Sequence, residues 1–512
     1  MNKAADMDEC RESANLSEKR QVRISKSQYI KGLQCQKALW IYRHRPDLAA
    51  PVTEAQQRLF DSGHAVERLA WECFPGGVEV TDPYYEIDKA VASTLAMIDQ
   101  GTTTIYEATA CSPSGAYCRI DILHKKPQEE KWDLIEIKQS TGVKDYHVDD
   151  MAFQRHVFEN AGYPIGDSFL MHLNKDYVRR GPLEYDKLFV LENGNARVAA
   201  KLSELPLQLA LLKKMIRTST EPDRAVGPHC ASPFACEFIH YCWQDIPETH
   251  VRRFFTCSNL EALLGREIHD IVDVPPDLAG PKRQQILLDT HKTGKPHIDP
   301  SGIHAFLKTL QYPLYFLDYE TIFPAVPLFD ESSPYQQIPF QFSLHVQDAP
   351  GGSVQHIEYL HTAPTDPRPG FAAALVAACG ENGSVVVYNQ GFESRINRGL
   401  GALLPEYKKA FDQINARMVD LLAPFRSRTV YHPAMNGSAS LKAVLPALVP
   451  ELGYDGLAIA DGTTASNMYL HCISEMCPEP EKMQIFADLR KYCAMDTWAE
   501  VKLVEFLYQN AQ

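Results

Sequence analysis

Trp132-Asp133-Leu134-Ile135-Glu136-Ile137-Lys138 reads as a short strand. Alternate side chains of a strand point to opposite faces, so Glu136 and Lys138, two apart, share one face. Fifteen residues upstream of Glu136, Tyr117-Cys118-Arg119-Ile120-Asp121-Ile122-Leu123 reads as a second strand, carrying Asp121. An aspartate on one strand and Glu-x-Lys on its neighbour can hold a divalent cation and set an ammonium beside it. That chemistry suits phosphodiester cleavage: carboxylates hold the metal, the metal activates water, and the lysine orients the water or stabilises developing charge.

The chain has 512 residues, enough for two domains with a spacer. Its 45% hydrophobic and 23% charged residues are ordinary for a soluble globular protein. The apolar run Phe371 to Cys379 is too short to span a bilayer. Residues 1–21 are polar, lack the apolar core of a signal peptide, and are expected to be a disordered tail. A cytoplasmic location with no membrane partner is therefore expected. The 13 cysteines, in a reducing compartment, argue against a disulfide framework. A net charge of −14 is unusual for a nucleic-acid binder, but the field that matters is local.

Outward from the Glu136 strand, Ser25 to Trp40 has helical character behind a serine cap, with Cys35 near its middle. Ala55 to Trp71 is a second helix, carrying Gly63-x-x-x-Glu67, with His64 and Glu67 as candidate metal neighbours. Val78 to Val80 and Thr104 to Ala108 are strand-like. Asp145 to Ala161 has helical spacing, with Gln154 and Phe158 four apart; Gln154 is a candidate contact to a base or phosphate, or a solvated polar side chain. After the strand Ser168 to Leu173 comes the basic loop Lys175 to Arg180, suited to phosphates without sequence preference. Ser203 to Thr218 is an amphipathic helix.

Cys230, Cys236 and Cys242 recur at six-residue steps in a half-polar loop that also holds His229 and His240. Three thiolates need a fourth ligand, and Cys35 is the natural candidate. The spacing lacks the paired knuckles common in zinc sites and suits an iron–sulfur cluster better, while the histidines leave zinc open.

Residues 247–311 read as a helical spacer with turns at Asp273 to Asp277 and Gly280-Pro281. The last domain, 312–512, opens on the apolar strand Leu314 to Thr321, which carries Asp318-x-Glu320 on one face. Gln341 to Val346 and Ser384 to Tyr388 are further strands, the latter running into Asn389 to Glu393. Tyr492 and Asp496 lie one helical turn apart on one face. Asp420 and Ser440-Leu441-Lys442 are auxiliary candidates.

Together, Asp121, Glu136-x-Lys138 and Gln154-x-x-x-Phe158 resemble the core of the PD-(D/E)XK nucleases, in the RecB-like branch. That branch ends in Q-x-x-x-Y; here phenylalanine stands for the tyrosine. The split cysteines, Cys35 before the core and Cys230, Cys236 and Cys242 after it, resemble the iron–sulfur staple of CRISPR-associated RecB-like exonucleases and AddB-type nuclease domains. Gly63-x-x-x-Glu67 stands where those families carry G-x-x-x-H, so the resemblance implies Glu67, Asp121 and Glu136 as Mg²⁺ or Mn²⁺ ligands. It also implies a restriction-endonuclease-like domain over 22–246 with a structural 4Fe-4S cluster. Asp318-x-Glu320, Asn389 to Glu393, and Tyr492-x-x-x-Asp496 resemble the motifs of the DEDD exonucleases, the DnaQ-like branch of the ribonuclease H-like fold. Glu393 replaces the expected aspartate. That resemblance implies Asp318, Glu320, Glu393 and Asp496 as metal ligands, with Tyr492 orienting water, in an α/β domain with a mixed sheet. The whole order resembles an uncharacterised bacterial fusion of these two domains, for which Pro334 to Ser343 and Leu441 to Pro446 are characteristic stretches.

The expected function is a two-site, metal-dependent nuclease acting on DNA at ends or single strands. The alternatives are a nucleic-acid-binding scaffold subunit with one or both sites degenerate, and an RNA-trimming exonuclease working through the C-terminal domain.

Overall fold

The computed structural model describes residues 22–255, 257–474 and 477–511. The tail expected over residues 1–21 lies outside these residues. The chain forms two compact units that divide between Asp245 and Ile246. Each is mixed α/β, with a seven-stranded sheet in the first and a five-stranded sheet in the second. No described helix is long and apolar enough to cross a membrane.

The first sheet comprises β1 (Ile24–Ser25), β2 (Val78–Glu79), β3 (Thr104–Cys111), β4 (Ala116–His124), β5 (Trp132–Lys138), β6 (Ile165–Leu173) and β7 (Phe189–Asn193). The order is β2-β3-β4-β5-β6-β7, with β1 beside β4. β3, β4 and β5 run antiparallel in sequence, and β5 and β6 pair in parallel. β5 is buried along its length up to Lys138, as a strand covered on both faces must be. The helices of this unit include α1 (Lys26–Gln34), α2 (Gln36–His44), α3 (Glu54–Trp71), α4 (Asp145–Asn160) and α5 (Leu205–Ile216). From α4, Met151, Phe153, Val157 and Phe158 enter one core with Ile120, Leu134 and Leu170. Phe158, where the resembled motif carries tyrosine, is fully buried, its ring 5.1 Å from that of Tyr163. A phenol there would need a buried partner for its hydroxyl.

One expected helix is in fact two. Ser25 caps the first, accepting from the Gln28 N–H at 3.2 Å. The helix then breaks at Cys35, which takes up extended backbone (φ −159°, ψ 114°). Its sulfur accepts from the Ala38 N–H at 3.5 Å, so the thiol caps α2.

In the second unit the sheet is β8 (Leu314–Ile322), β9 (Ile338–Gln347), β10 (Val354–Leu360), β11 (Ser384–Val387) and β12 (Met418–Asp420). The order is β10-β9-β8-β11-β12, antiparallel from β10 to β8 and parallel from β8 to β12. Its helices include α6 (Gln390–Leu403), α7 (Leu441–Leu448), α8 (Gly462–Cys472) and α9 (Glu479–Gln509). Along β8, Tyr315, Leu317 and Tyr319 pack with Phe371, Leu375 and Ile396 on one side. Leu314 and Phe316 pack with Ala499, Leu503 and Val504 of α9 on the other. The period of two therefore carries Asp318 and Glu320 to the face crossed by α9.

The stretch expected as a spacer has the expected helices, at Cys257–Gly265, Lys282–Thr293 and Pro300–Leu307. Yet Val251, Phe255, Leu263, Leu287 and Ile303 are buried in the core that holds Phe316, Leu445 and Leu503. These helices are covered on their apolar sides by the second unit, which begins at Ile246.

Candidate metal sites

In the first unit, Glu67 on α3, Glu107 on β3 and Asp121 on β4 bring carboxylate oxygens within 4.8 Å of one another. The β3–β4 register pairs Tyr106 with Ile122 and Ala108 with Ile120, which sets Glu107 opposite Asp121. Glu107 takes a positive φ of 58°, a conformation a non-glycine residue holds only when its surroundings require it. His64 does not join the group. Burial, and then the charge of Asp121, push the Glu67 carboxyl up to about 10. Burial, and then Glu136, push Asp121 up to about 8. Charges so crowded ionise together only against a cation.

Glu136 is spoken for differently. Its Oε1 accepts from Lys26 Nζ and Lys138 Nζ, each at 2.6 Å, and its Oε2 accepts from Gln154. Burial opposes its charge, but Lys138 and Lys26 outweigh that and hold it down at about 2. Lys138 also reaches Asp150 Oδ2 at 2.8 Å. Asp121 Oδ2 accepts from the Ile137 N–H at 2.6 Å, tying the two strands at the site. Gln154 is not offered to a base or phosphate: it is fully buried and also donates to the Arg119 carbonyl at 3.3 Å. It orients Glu136. Glu107 and Lys26 escaped the sequence reading. Glu107 had a signal, a lone acid in the apolar run Ile105 to Ala108; Lys26, beside a helix cap, had none.

Cys35, Cys230, Cys236 and Cys242 line one small cavity with Val226 and Ile239. The Cys230 sulfur accepts from the Gly227 N–H at 3.5 Å. Burial pushes the Cys236 thiol up to about 11 and raises that of Cys242. Four thiols around one cavity, with backbone donors on the sulfurs of Cys35, Cys230 and Cys236, are a donor set that could hold a metal centre.

In the second unit, Asp318 and Glu320 on β8 and Asp496 on α9 bring carboxylate oxygens within 4.8 Å of one another. They line an open cleft of about 350 Å³ with Phe392, Asp461, Gly462 and Tyr492. Burial first, then mutual repulsion, raises Asp318 and Glu320 well above the carboxylate range. Burial also raises Asp496, to about 6, against a 2.5 Å hydrogen bond from the Tyr454 hydroxyl and the charge of Lys442. Lys442 Nζ donates to the Tyr492 hydroxyl at 3.1 Å, so this auxiliary candidate is brought to the cleft. Asp420 is not; its Oδ1 accepts from the Asn389 and Leu422 N–H groups and braces the end of the sheet.

Glu393 lies outside the group of three. It is buried, its Oε2 has no hydrogen-bond partner, and burial and Asp318 raise its pKa. Glu500, one turn beyond Asp496, is a buried acid the sequence reading missed. Burial, then Asp318 and Glu393, raise it as well.

Residues 315–440 match the family described as Domain of unknown function (DUF2779). The DUF2779 stretch holds Asp318, Glu320 and Glu393; Lys442, Tyr492 and Asp496 lie beyond it. Among curated proteins, the uncharacterized protein MG366 of Mycoplasma genitalium is 25% identical over 210 residues, 38% of this chain and 31% of its own length. The uncharacterized protein UU173 of Ureaplasma parvum is 23% identical over 248 residues, 44% of this chain and 35% of its own. The chain thus matches about a third of the length of these relatives.

Proposed function

We propose that this protein is a metal-dependent nuclease that hydrolyses DNA from ends or single strands at two separate acidic sites. The first unit would be a RecB-like PD-(D/E)XK domain of restriction-endonuclease-like fold, stapled by a 4Fe-4S cluster at Cys35, Cys230, Cys236 and Cys242. The second would be a ribonuclease H-like DEDD exonuclease trimming from the 3′ end. The observation that carries this reading is the convergence of Asp318, Glu320 and Asp496, from the first strand of the five-stranded sheet and the last helix of the unit, in a cleft that also holds Tyr492.

Bound at these carboxylates, Mg²⁺ or Mn²⁺ would polarise a phosphoryl oxygen and lower the pKa of an attacking water. The chain's own groups would do the rest. At the first site Lys138 spends two of its three N–H donors on Glu136 and Asp150, leaving one for a water or phosphoryl oxygen. At the second, the Tyr492 phenol stays neutral, because burial and then Asp496 raise its pKa. It would direct water by hydrogen bonding.

Glu393 favours a second reading, a nucleic-acid-binding subunit with a weakened second site, because it stands outside the trio. One assay separates the two. Labelled single-stranded and duplex DNA, with matched RNA, is incubated with the parent, Glu136→Ala, Asp318→Ala and the double variant under Mg²⁺ or Mn²⁺. Each single variant should remove one activity and the pair should leave none. A double variant as active as the parent refutes the assignment; binding that survives chelation with no cleavage of any substrate supports the second reading.

A further inference from the structure

At the end of the α8–α9 pair, a mixed set of donors meets away from the acidic trio of this unit. His471 and Cys472 sit in the last turn of α8, and Glu481 in the first turn of α9, with Cys477 in the connection. His471 Nε2 lies 3.1 Å from Glu481 Oε1. The Cys477 sulfur joins them, so that one nitrogen, one sulfur and one oxygen lie within 4.8 Å of one another. The Cys472 thiol is hydrogen-bonded to that of Cys477. Both cysteines are buried, while the His471 and Glu481 side chains are 33% and 51% exposed. The cluster therefore has a buried sulfur side and a wet side through which an ion can enter.

We infer that His471, Cys472, Cys477 and Glu481 form a structural site for a zinc-type cation that clamps the end of α8 to the start of α9. Imidazole, thiolate and carboxylate together suit a borderline-soft divalent ion, and four protein donors leave no open position for chemistry. Hard cations such as Mg²⁺, suited to the acidic trios, have little affinity for thiolates. Binding releases the thiol protons and links the two helices. The clamp has a defined mechanical place. Gly462, at the other end of α8, and Tyr492, on α9, both line the acidic cleft. At 1.5 Å per residue each lies roughly 15 Å along its helix from the clamp. The ion is thus remote from the reacting groups and fixes how the two helices approach them. The inference stands independently of the nuclease reading.

The test is metal content, not activity. The full chain is purified anaerobically, equilibrated with zinc, desalted and assayed for bound metal, alongside His471→Asn, Cys477→Ser, Glu481→Gln and the control Cys236→Ser. His471→Asn and Cys477→Ser should each lose one zinc per chain that Cys236→Ser keeps. Glu481→Gln, at a half-exposed position that does not endanger folding, should weaken zinc binding at least about 10-fold. Cobalt in place of zinc should give a thiolate charge-transfer absorption in the parent that Cys477→Ser lacks. Zinc content unchanged across His471→Asn and Cys477→Ser overturns the inference. So does a Cys472–Cys477 disulfide in the anaerobic protein, because oxidised sulfurs cannot ligate the ion.

Discussion

Lys442 Nζ stands 3.1 Å from the hydroxyl of Tyr492 and 5.1 Å from the centre of its ring. The lysine thus takes the lone-pair side of the phenol oxygen, and the O–H donates to the Asp496 carboxylate. The two residues come from α7 and α9, and the same ammonium donates to the Ala460 carbonyl just before α8. One cation therefore joins three segments around the cleft and aims the tyrosine.

If that O–H directs the attacking water, Tyr492→Phe should slow 3′-end trimming by about 100-fold. Lys442→Met should slow it by a comparable factor, since the phenol oxygen then loses the ammonium that fixes its lone-pair side. Single-turnover cleavage of a 3′-labelled oligonucleotide reads both. A Tyr492→Phe enzyme as fast as the parent removes the tyrosine from the mechanism.

The acids of the first site make stability depend on pH and metal together. Asp121 sits at about 8 when folded against an ordinary 3.8, and Glu67 at about 10 against 4.5. Between about pH 4 and pH 8 the folded chain holds protons that the unfolded chain has released. Without metal, stability therefore falls as pH rises through that window. Glu136 acts in the other direction, but its contribution is lost only as pH falls from 4.5 toward 2, below that window. The buried second trio adds the same sign as the first. Hence Mg²⁺ or Mn²⁺ should raise the Tm of the full chain more at pH 8 than at pH 5. Asp121→Asn should shrink that difference; an unchanged metal and pH response would exclude Asp121 from cation binding.

Much of this was written in the sequence where a residue announces itself locally. Asp318-x-Glu320 sits on a strand whose period of two fixes one face, and Tyr492-x-x-x-Asp496 on a helix whose period fixes another. What stayed hidden depends on partners distant in the chain. Glu107 matters because antiparallel register sets it opposite Asp121, and no local pattern states register. Lys26 reaches Glu136 across 110 residues. Gln154 reads as a contact to a base or phosphate, or as a solvated group, because its partner, a carboxylate on another element, is invisible from helical spacing alone. The segment 247–311 reads as a helical connector because its helices are short and divided by turns. Their burial is collective.

Glu136 is the shared anchor of two ammonium groups, which gives a graded expectation. Glu136→Gln leaves Lys26 and Lys138 without their common carboxylate and should cost about 3 kcal/mol. Lys26→Met leaves Lys138 in place on Glu136 and should cost about 1 kcal/mol. Urea denaturation of both variants in metal-free buffer provides the comparison. Equal losses would mean that the two lysines are not sharing one anchor.

The cysteine cavity joins the break between α1 and α2 to the segment after α5, so its occupant acts as a cross-link over nearly the whole first unit. Thiolate–metal bonds release folding free energy only when the ligands have converged, so removing one thiol should cost stability and metal together. Cys35 adds a second handicap, because its sulfur also caps α2. Cys35→Ser retains a capping oxygen and isolates the loss of the metal ligand; Cys35→Ala removes both. After anaerobic purification the parent should be coloured and contain iron, with both variants pale. Cys35→Ala should unfold at the lowest temperature, below Cys35→Ser by about 1 kcal/mol of stability. Visible absorption, iron analysis and thermal melts measure all three. A colourless parent carrying zinc on these four thiols would refute the iron–sulfur assignment and, with it, the strongest support for a RecB-like first unit.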